Sequence, residues 1–338
     1  MRKQEFIQKA ESCKPKIHKK EYRSYSPVDF IADEDAFQNV KAIPAEEKES
    51  YGTGDKICLD FGRHITGFFR FSLGQYKHYL DAPVRLKIKF AETPYEAYRD
   101  FSTYKPGLCP SWLQEEIITI DTKGEVRLNR RYAFRYVEIS VIAASFAFTL
   151  NDFTAISCSS ADFSKLDDAS CDNAIMKKID RISVNTLAEC MQDVFEDGPK
   201  RDRRLWLGDF RLQALANYYT FRNSDIVKRC LYLFAAFDDD ERLLPSYIYT
   251  TPEVETGEAY LVSYALLFTA ALCDYFEHTK DKAVTEDLFD TAKRQIDITR
   301  KMLDKNGILV MPENYGWWTF VDWSDAEPVT ACMGIYIY

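Results

Sequence analysis

The segment Asp197-Gly-Pro-Lys-Arg-Asp-Arg-Arg-Leu-Trp-Leu-Gly-Asp209 gathers three carboxylates, four cations and one tryptophan, with glycines near both ends. A carboxylate held beside arginine stays ionised, whereas one that is partly dried against an indole face can keep its proton. Two carboxyl groups in such contrasting states are what acid-assisted cleavage of a glycosidic bond requires. A salt-bridged surface loop in which Asp209 merely N-caps the next helix accounts for the same residues. The residues alone leave both readings open. A helical course would put Asp202, Trp206 and Asp209 on one face at i, i+4 and i+7.

A second cluster, Glu313-Asn-Tyr-Gly-Trp-Trp-Thr-Phe-Val-Asp-Trp323, sets three tryptophans around Asp322. Aromatic walls with a carboxylate to accept sugar hydroxyls make a monosaccharide pocket, and a buried apolar plug between helices has the same composition. Glu253, Glu255 and Glu258 form a third acidic loop, read as solvated.

The elements that carry these clusters change character along the chain. Up to residue 160 the pattern is β. Val84-Arg-Leu-Lys-Ile-Lys-Phe90 alternates strictly, and Lys56–Phe61, Ile65–Leu73, Glu116–Thr122, Tyr132–Ile142 and Phe146–Ile156 are further strand candidates between Gly and Pro turns. Many short strands with such turns predict a β-sandwich over 1–160. From 161 to 338 the period is helical. Ile175, Ile179 and Ile182 share one face, and Leu212, Leu215, Ala216 and Tyr219 form a second stripe. Further helices are expected over Ile226–Phe237, Glu258–Glu277 and Lys282–Leu303, and from about Ala326. Gly198-Pro199 breaks the first helix, which puts the charged segment on a helix-to-helix loop.

The 338 residues are 46% hydrophobic and carry a net charge of −9, concentrated in the second half, with no basic stripe for nucleic acid. Nine scattered cysteines without a CxxC pair, a charged N-terminus and the lack of a long apolar run predict a reduced, cytoplasmic chain that does not enter a membrane. His18, His64, His78 and His278 are too dispersed for a zinc site, and no cofactor is expected. Met333-Gly-Ile-Tyr-Ile-Tyr338 ends in an apolar helical pattern with no stop signal, so the chain is expected to be a piece of a longer one.

Asp197 to Asp209 resembles the signature of family 78 glycoside hydrolases, the α-L-rhamnosidases. There the family carries Asp-Cys-Pro-Gln-Arg-Glu/Asp-Arg, then a tryptophan, then Gly-Asp. Tyr264-Ala-Leu-Leu-Phe, Asp274-Tyr-Phe-Glu-His-Thr and Trp317–Trp323 are similar to later parts of its catalytic domain. Leu59-Asp-Phe-Gly, Phe90-Ala-Glu-Thr-Pro-Tyr-Glu and Phe134-Arg-Tyr-Val resemble the preceding β domain. The resemblance implies a β-sandwich followed by about half of an (α/α)6 toroid, and inverting hydrolysis of terminal α-L-rhamnosyl residues. By that resemblance Asp202 is the general acid. Asp197, Arg201, Trp206, Asp209, Trp318, Asp322 and Trp323 form the sugar site, and the partner is an L-rhamnose-containing glycoside or oligosaccharide.

Two departures follow. Many family members have Glu where this chain has Asp202, which is one methylene shorter. The family's base is a Glu from later helices, expected here beyond Tyr338, so the 338 residues alone are expected to be inactive and to expose apolar helix faces. A sugar-binding protein without turnover and an (α/α)6 glycosidase of different specificity are the competing readings.

Overall fold

A computed structural model of the chain describes residues 2–32, 39–105, 107–167, 171–311, 320 and 328–338. It divides into two compact units, His18–Ser159 and a helical unit that joins the first 17 residues to the chain from Ser160 onward.

The first unit is a nine-stranded antiparallel sheet. Its strands are β1 (His18–Tyr22), β2 (Ser26–Ala32), β3 (Val40–Pro44), β4 (Lys56–Gln75), β5 (Val84–Ala91), β6 (Gln114–Ile120), β7 (Gly124–Arg127), β8 (Tyr132–Ala143) and β9 (Phe148–Ser159). The order β1-β9-β4-β8-β5-β6 has β2 and β7 also pairing with β4, and β3 pairing with β2. The two strands expected over 56–61 and 65–73 are therefore one. Gly62, at φ +71°, does not end the strand but forms a bulge, with its N–H on Asp60 Oδ1 at 2.7 Å. The β8 pairing skips between Asp60 and Ile65, and Arg135 clamps Asp60 through two hydrogen bonds of 2.7 Å. At Gly67 the strand pairs with both Tyr132 of β8 and Ser157 of β9. A Cβ there would lie 1.9 Å from the Ile156 carbonyl oxygen, so only glycine lets β9 approach. Phe69, Phe71, Phe90, Phe134, Phe148 and Phe153 fill the core enclosed by these strands. A short helix, α2 (Pro94–Tyr98), is capped by Thr93.

The helical unit holds α1 (Arg2–Ser12), α3 (Ala174–Cys190), α4 (Leu207–Tyr219), α5 (Ser224–Ala235), α6 (Val262–Thr279), α7 (Lys282–Arg300) and α8 (Pro328–Ile337). It also holds a small sheet of β10 (Leu205–Trp206), β11 (Tyr247–Tyr249) and β12 (Glu255–Thr256). Asn173, Asn223 and Asp281 accept hydrogen bonds from first-turn N–H groups, which fixes where α3, α5 and α7 begin. α6 starts later than the expected Glu258. Buried Ser246 donates its N–H to the Ala259 carbonyl and accepts the Leu261 N–H on its hydroxyl, holding that stretch extended. None of the described helices is long and apolar enough to cross a membrane.

Two further expectations change. Residues 1–17 were assigned to the β half, but α1 packs on α5, with Ala10 fully buried and Phe6 ringed against Tyr232 at 5.6 Å. The stripe Leu212, Leu215, Ala216 and Tyr219 does not face the core: Leu212 and Tyr219 are 67% and 74% exposed, and Phe210, Ala214 and Asn217 are buried instead. Asn217 is buried because it bonds Asn223 through both side-chain atoms, a polar residue that hides the inner face from a hydrophobic reading. Ile175, Ile179 and Ile182 do share a face of α3, but together with Met176 it lies in solvent.

Arg229 is the largest fully buried side chain. One terminal nitrogen donates to the Ala10 carbonyl at 2.9 Å and to Glu11 at 2.8 Å, and the other lies 3.5 Å from Asp193. Arg229→Ala removes the link between α1, α5 and the loop entering the charged segment. We expect it to destabilise the helical unit by about 3 kcal/mol, since breaking a buried charged network from one side is costly. Denaturant unfolding of the variant against the parent checks this, and a loss under about 0.5 kcal/mol, the scale of an ordinary surface change, would contradict it.

Candidate active site

The charged segment begins as a closed loop, not a helix. Asp197 donates its N–H to the Arg204 carbonyl at 2.9 Å, and its carboxylate accepts the N–H groups of Asp202 and Arg204, both at 3.0 Å. One carboxylate thus folds seven residues around itself, as an Asx-type turn does on a smaller scale. Gly198 is required by the same curl: a Cβ there would meet the Arg201 carbonyl oxygen at 2.3 Å. Arg203 sits at φ +62°, in the left-handed region, with its N–H on the Gly198 carbonyl.

The chain then straightens into β10 and enters α4 at Leu207. Asp209 is therefore not the N-cap. Trp206 occupies that position without a side-chain cap, and Asp209 lies in the first helical turn. Asp202 and Trp206 do not share a helical face either, because the loop and β10 separate them. Even so, the loop and helix bring the three carboxylates together. Burial pushes the Asp209 carboxyl up, and the Asp197 charge pushes it further. Burial likewise raises Asp197, opposed by the N–H groups of Asp202 and Arg204 and reinforced by the Asp202 charge. Arg201 Nε lies 3.8 Å from Asp202 Oδ1.

Aromatic rings wall this group. β10 pairs with β11, placing Trp206 opposite Tyr247 with ring centroids 4.6 Å apart. Tyr264 from α6 meets Trp206 edge-on at 6.2 Å. It reaches there because position 208 is glycine: a Cβ would lie 2.5 Å from the Tyr264 ring. Burial, then Asp209 and Asp197, push the Tyr264 phenol up to about 12, so it is a neutral hydrogen-bond donor beside both carboxyls. Tyr249 follows Tyr247 on the same face of β11, with Glu255 of β12 opposite it. The Arg204 guanidinium lies over both rings, 4.9 and 4.8 Å from their centroids.

Asp197, Arg201, Asp202, Trp206 and Asp209 are thus gathered in one place. Trp318, Asp322 and Trp323 lie outside the described residues. Phe320, from the same stretch, packs edge-on to Tyr264 at 6.5 Å, and its carbonyl accepts the Ser263 hydroxyl at 2.8 Å. Glu253, Glu255 and Glu258 are exposed, as expected of a solvated loop, although Glu255 also joins the aromatic face. Sequence reading missed Tyr247, Tyr249, Tyr264 and Arg204. The available signals were the period-two Tyr247-Ile-Tyr249 and the glycines at 208 and 257. A Cβ on Gly257 would strike the Tyr247 hydroxyl at 1.9 Å.

The raised Asp209 carboxyl carries a pH signature. The folded protein holds this proton to higher pH than the unfolded chain, whose carboxyl titrates near ~3.9. Stability therefore falls as pH climbs from that value through the folded one. Asp209→Asn removes the dependence, so the variant's thermal midpoint minus the parent's should grow more positive from acid to neutral pH. A difference that is flat or shrinks with rising pH would contradict the burial account.

Comparison with known proteins places the chain. Residues 24–160 match the family model described as the glycosyl hydrolase family 78 alpha-rhamnosidase N-terminal domain. Residues 165–332 match that of the bacterial alpha-L-rhamnosidase 6 hairpin glycosidase domain. Among solved structures, a rhamnosidase from Klebsiella oxytoca with rhamnose bound is 34% identical, with a TM-score of 0.93. The match covers 99% of this chain and 66% of that one. A family 78 rhamnosidase of Bacillus sp. GL1 is 20% identical at TM-score 0.68, covering 88% of this chain and 33% of that one. The Streptomyces avermitilis alpha-L-rhamnosidase complexed with L-rhamnose is 15% identical at TM-score 0.63, covering 96% and 28%. These last two share the fold. No curated protein sequence matches. The chain belongs to glycoside hydrolase family 78. It spans about two thirds of the Klebsiella enzyme and about a third or less of the other two.

Proposed function

We propose that this chain supplies the acid side of an inverting α-L-rhamnosidase, acting on terminal α-L-rhamnosyl residues of a glycoside or oligosaccharide. The observation that carries the reading is the Asp197 carboxylate, which holds the backbone N–H groups of Asp202 and Arg204 beside Asp209 and a wall of aromatic rings. The match to a rhamnosidase with rhamnose bound supports the choice of sugar.

Asp202 is assigned as the general acid. Its proton passes to the glycosidic oxygen as the bond to the anomeric carbon breaks. A water oxygen adds to the opposite face, and a second carboxyl takes the water's proton. The two carboxyls of an inverting site stand roughly 6.5–9.5 Å apart. We assign the second one to a part of the catalytic domain outside residues 1–338, consistent with the 66% coverage of the Klebsiella chain. Asp197, Asp209 and Arg201 bind and order the sugar hydroxyls and the acid. Trp206 walls the ring, and Trp318, Asp322 and Trp323 complete the site. The helical unit is read as part of an (α/α)6 toroid. The nine cysteines form no disulfide, which fits a cytoplasmic setting.

Proton NMR of the full-length enzyme with an aryl α-L-rhamnoside tests this. The first sugar released should be β-L-rhamnose. Release of the α anomer first would overturn inversion, and rhamnose binding without turnover would identify a sugar-binding protein instead.

A further inference from the structure

The β unit carries a concave polar site of its own, where β7, β4, β9 and β1 lie side by side. Arg70 of β4 opposes Arg127 of β7 and Thr154 of β9, and Ser72 opposes Glu125, so these side chains share one face. The ladder then slips. Phe71 stands against both Asp152 and Phe153, which makes a bulge in β9. Bulges of this kind re-aim side chains beside binding sites. Asp152 takes φ +56°, in the left-handed region, and the Thr154 hydroxyl donates to its carbonyl at 2.9 Å. Phe153 stays buried, whereas Asp152 is exposed. β1 pairs with β9 as far as Tyr22 opposite Ala155, so the chain leaving β1 carries Arg23 and Tyr25 past the bulge. Together these residues line a cavity of about 470 Å³, within the roughly 300–1,000 Å³ of small-molecule sites.

The charges around it balance. Arg70 bonds Glu125 and, at 3.0 Å, Glu21. Arg23 bonds Glu21 at 2.8 Å, and Arg127 bonds Glu125. Asp152 is the remaining anion. Its carboxylate makes no hydrogen bond or ion pair among the described residues, and the Ser72 hydroxyl makes none either. Tyr25 is held edge-on to Phe153, with ring centroids 5.4 Å apart. An anionic ligand finds the guanidinium groups taken and Asp152 repelling it. A cation finds three arginines around the one open carboxylate. A neutral ligand dense in hydroxyls meets neither penalty. Asp152 can accept from two neighbouring hydroxyls, Ser72 can donate, and the Tyr25 ring offers apolar surface to the C–H face of a pyranose.

We propose that this cavity is a sugar site of the β unit, which holds a neutral pyranose by binding alone. The inference goes beyond the proposed reaction and does not rest on it.

The test titrates the isotope-labelled full-length enzyme with methyl α-L-rhamnoside, methyl β-D-glucoside and the charged methyl β-D-glucuronide, and follows the backbone N–H signals of Asp152, Phe153 and Thr154 by NMR. At least one neutral glycoside should shift these signals saturably, with a Kd on the order of 1 mM, and the glucuronide should bind at least about tenfold more weakly. Asp152→Gly keeps the left-handed backbone and deletes the carboxylate. It should weaken binding at the cavity at least about tenfold, the scale of one charge-assisted contact, and leave kcat/KM on an aryl α-L-rhamnoside unchanged. Asp152→Asn, which keeps one acceptor oxygen, should fall between. No saturable shift with either neutral glycoside, a glucuronide bound as well or better, or binding that survives Asp152→Gly overturns the inference. Each of those outcomes leaves the rhamnosidase reading standing, because that reading is judged by turnover.

Discussion

Asp202→Asn should lower kcat/KM on a rhamnosyl disaccharide by about 10²–10⁴-fold, the range that a positioned general acid supplies. The amide keeps the shape and a hydrogen-bond donor but has no proton to transfer to the leaving oxygen. Rhamnose binding should persist, because the loop geometry rests on the backbone N–H of residue 202 held by Asp197 at 3.0 Å, a contact the substitution does not touch. Steady-state kinetics with calorimetric rhamnose titration separate these effects. Equal kcat/KM for variant and parent would remove Asp202 from the acid role. Loss of binding together with rate would make it a structural residue.

Asp197→Ala should be the other severe change, for a different reason. It deletes the acceptor of two backbone N–H groups, those of Asp202 and Arg204, in a partly buried loop. Each orphaned donor costs about 1–3 kcal/mol unless water reaches it. The loop should open, shifting Asp202 on one side and Arg204 on the other. Displacement of a catalytic group by about 1 Å is enough to lose roughly 10²-fold in rate. The expected result is therefore a joint loss of thermal stability and of kcat, with Asp197→Asn milder because its one amide oxygen still accepts one of the two N–H groups. If Asp197→Ala lowers kcat and leaves the thermal midpoint unchanged, Asp197 acts on the sugar alone and the loop is held by something else.

The outline of this protein was legible because its strongest patterns are local. The alternation in Val84–Phe90 gave β5, and the polar density of 197–209 marked the site. What was hidden depends on contacts distant in sequence. Residues 1–17 were read with the β half because Phe6, Ile7 and Ala10 are few, and the worth of α1 comes from Arg229, more than two hundred residues away. The inner face of α4 was misread because its anchor is a buried asparagine, while Leu212 and Tyr219 point outward. Gly62 read as a strand end, yet it makes a bulge because Asp60 and Arg135 bridge the gap. Asp209 looked like a cap because Gly-Asp before an apolar stripe has that form. β10 extends the chain as far as Trp206, so the helix begins at Leu207 and carries Asp209 inward. The tyrosine face needed the pairing of β10, β11 and β12, and strands of two or three residues leave no more trace than the single alternation Tyr247-Ile-Tyr249.

The most direct test of Asp202 as the acid is the dependence of rate on the leaving group. A series of aryl α-L-rhamnosides with phenols of increasing pKa is hydrolysed by the parent and by Asp202→Asn. If Asp202 donates the proton, the loss in kcat/KM is small for the most acidic phenol and grows steeply as the phenol becomes more basic. A loss that stays constant across the series would contradict the assignment, because a residue that only binds or positions the sugar affects every leaving group alike.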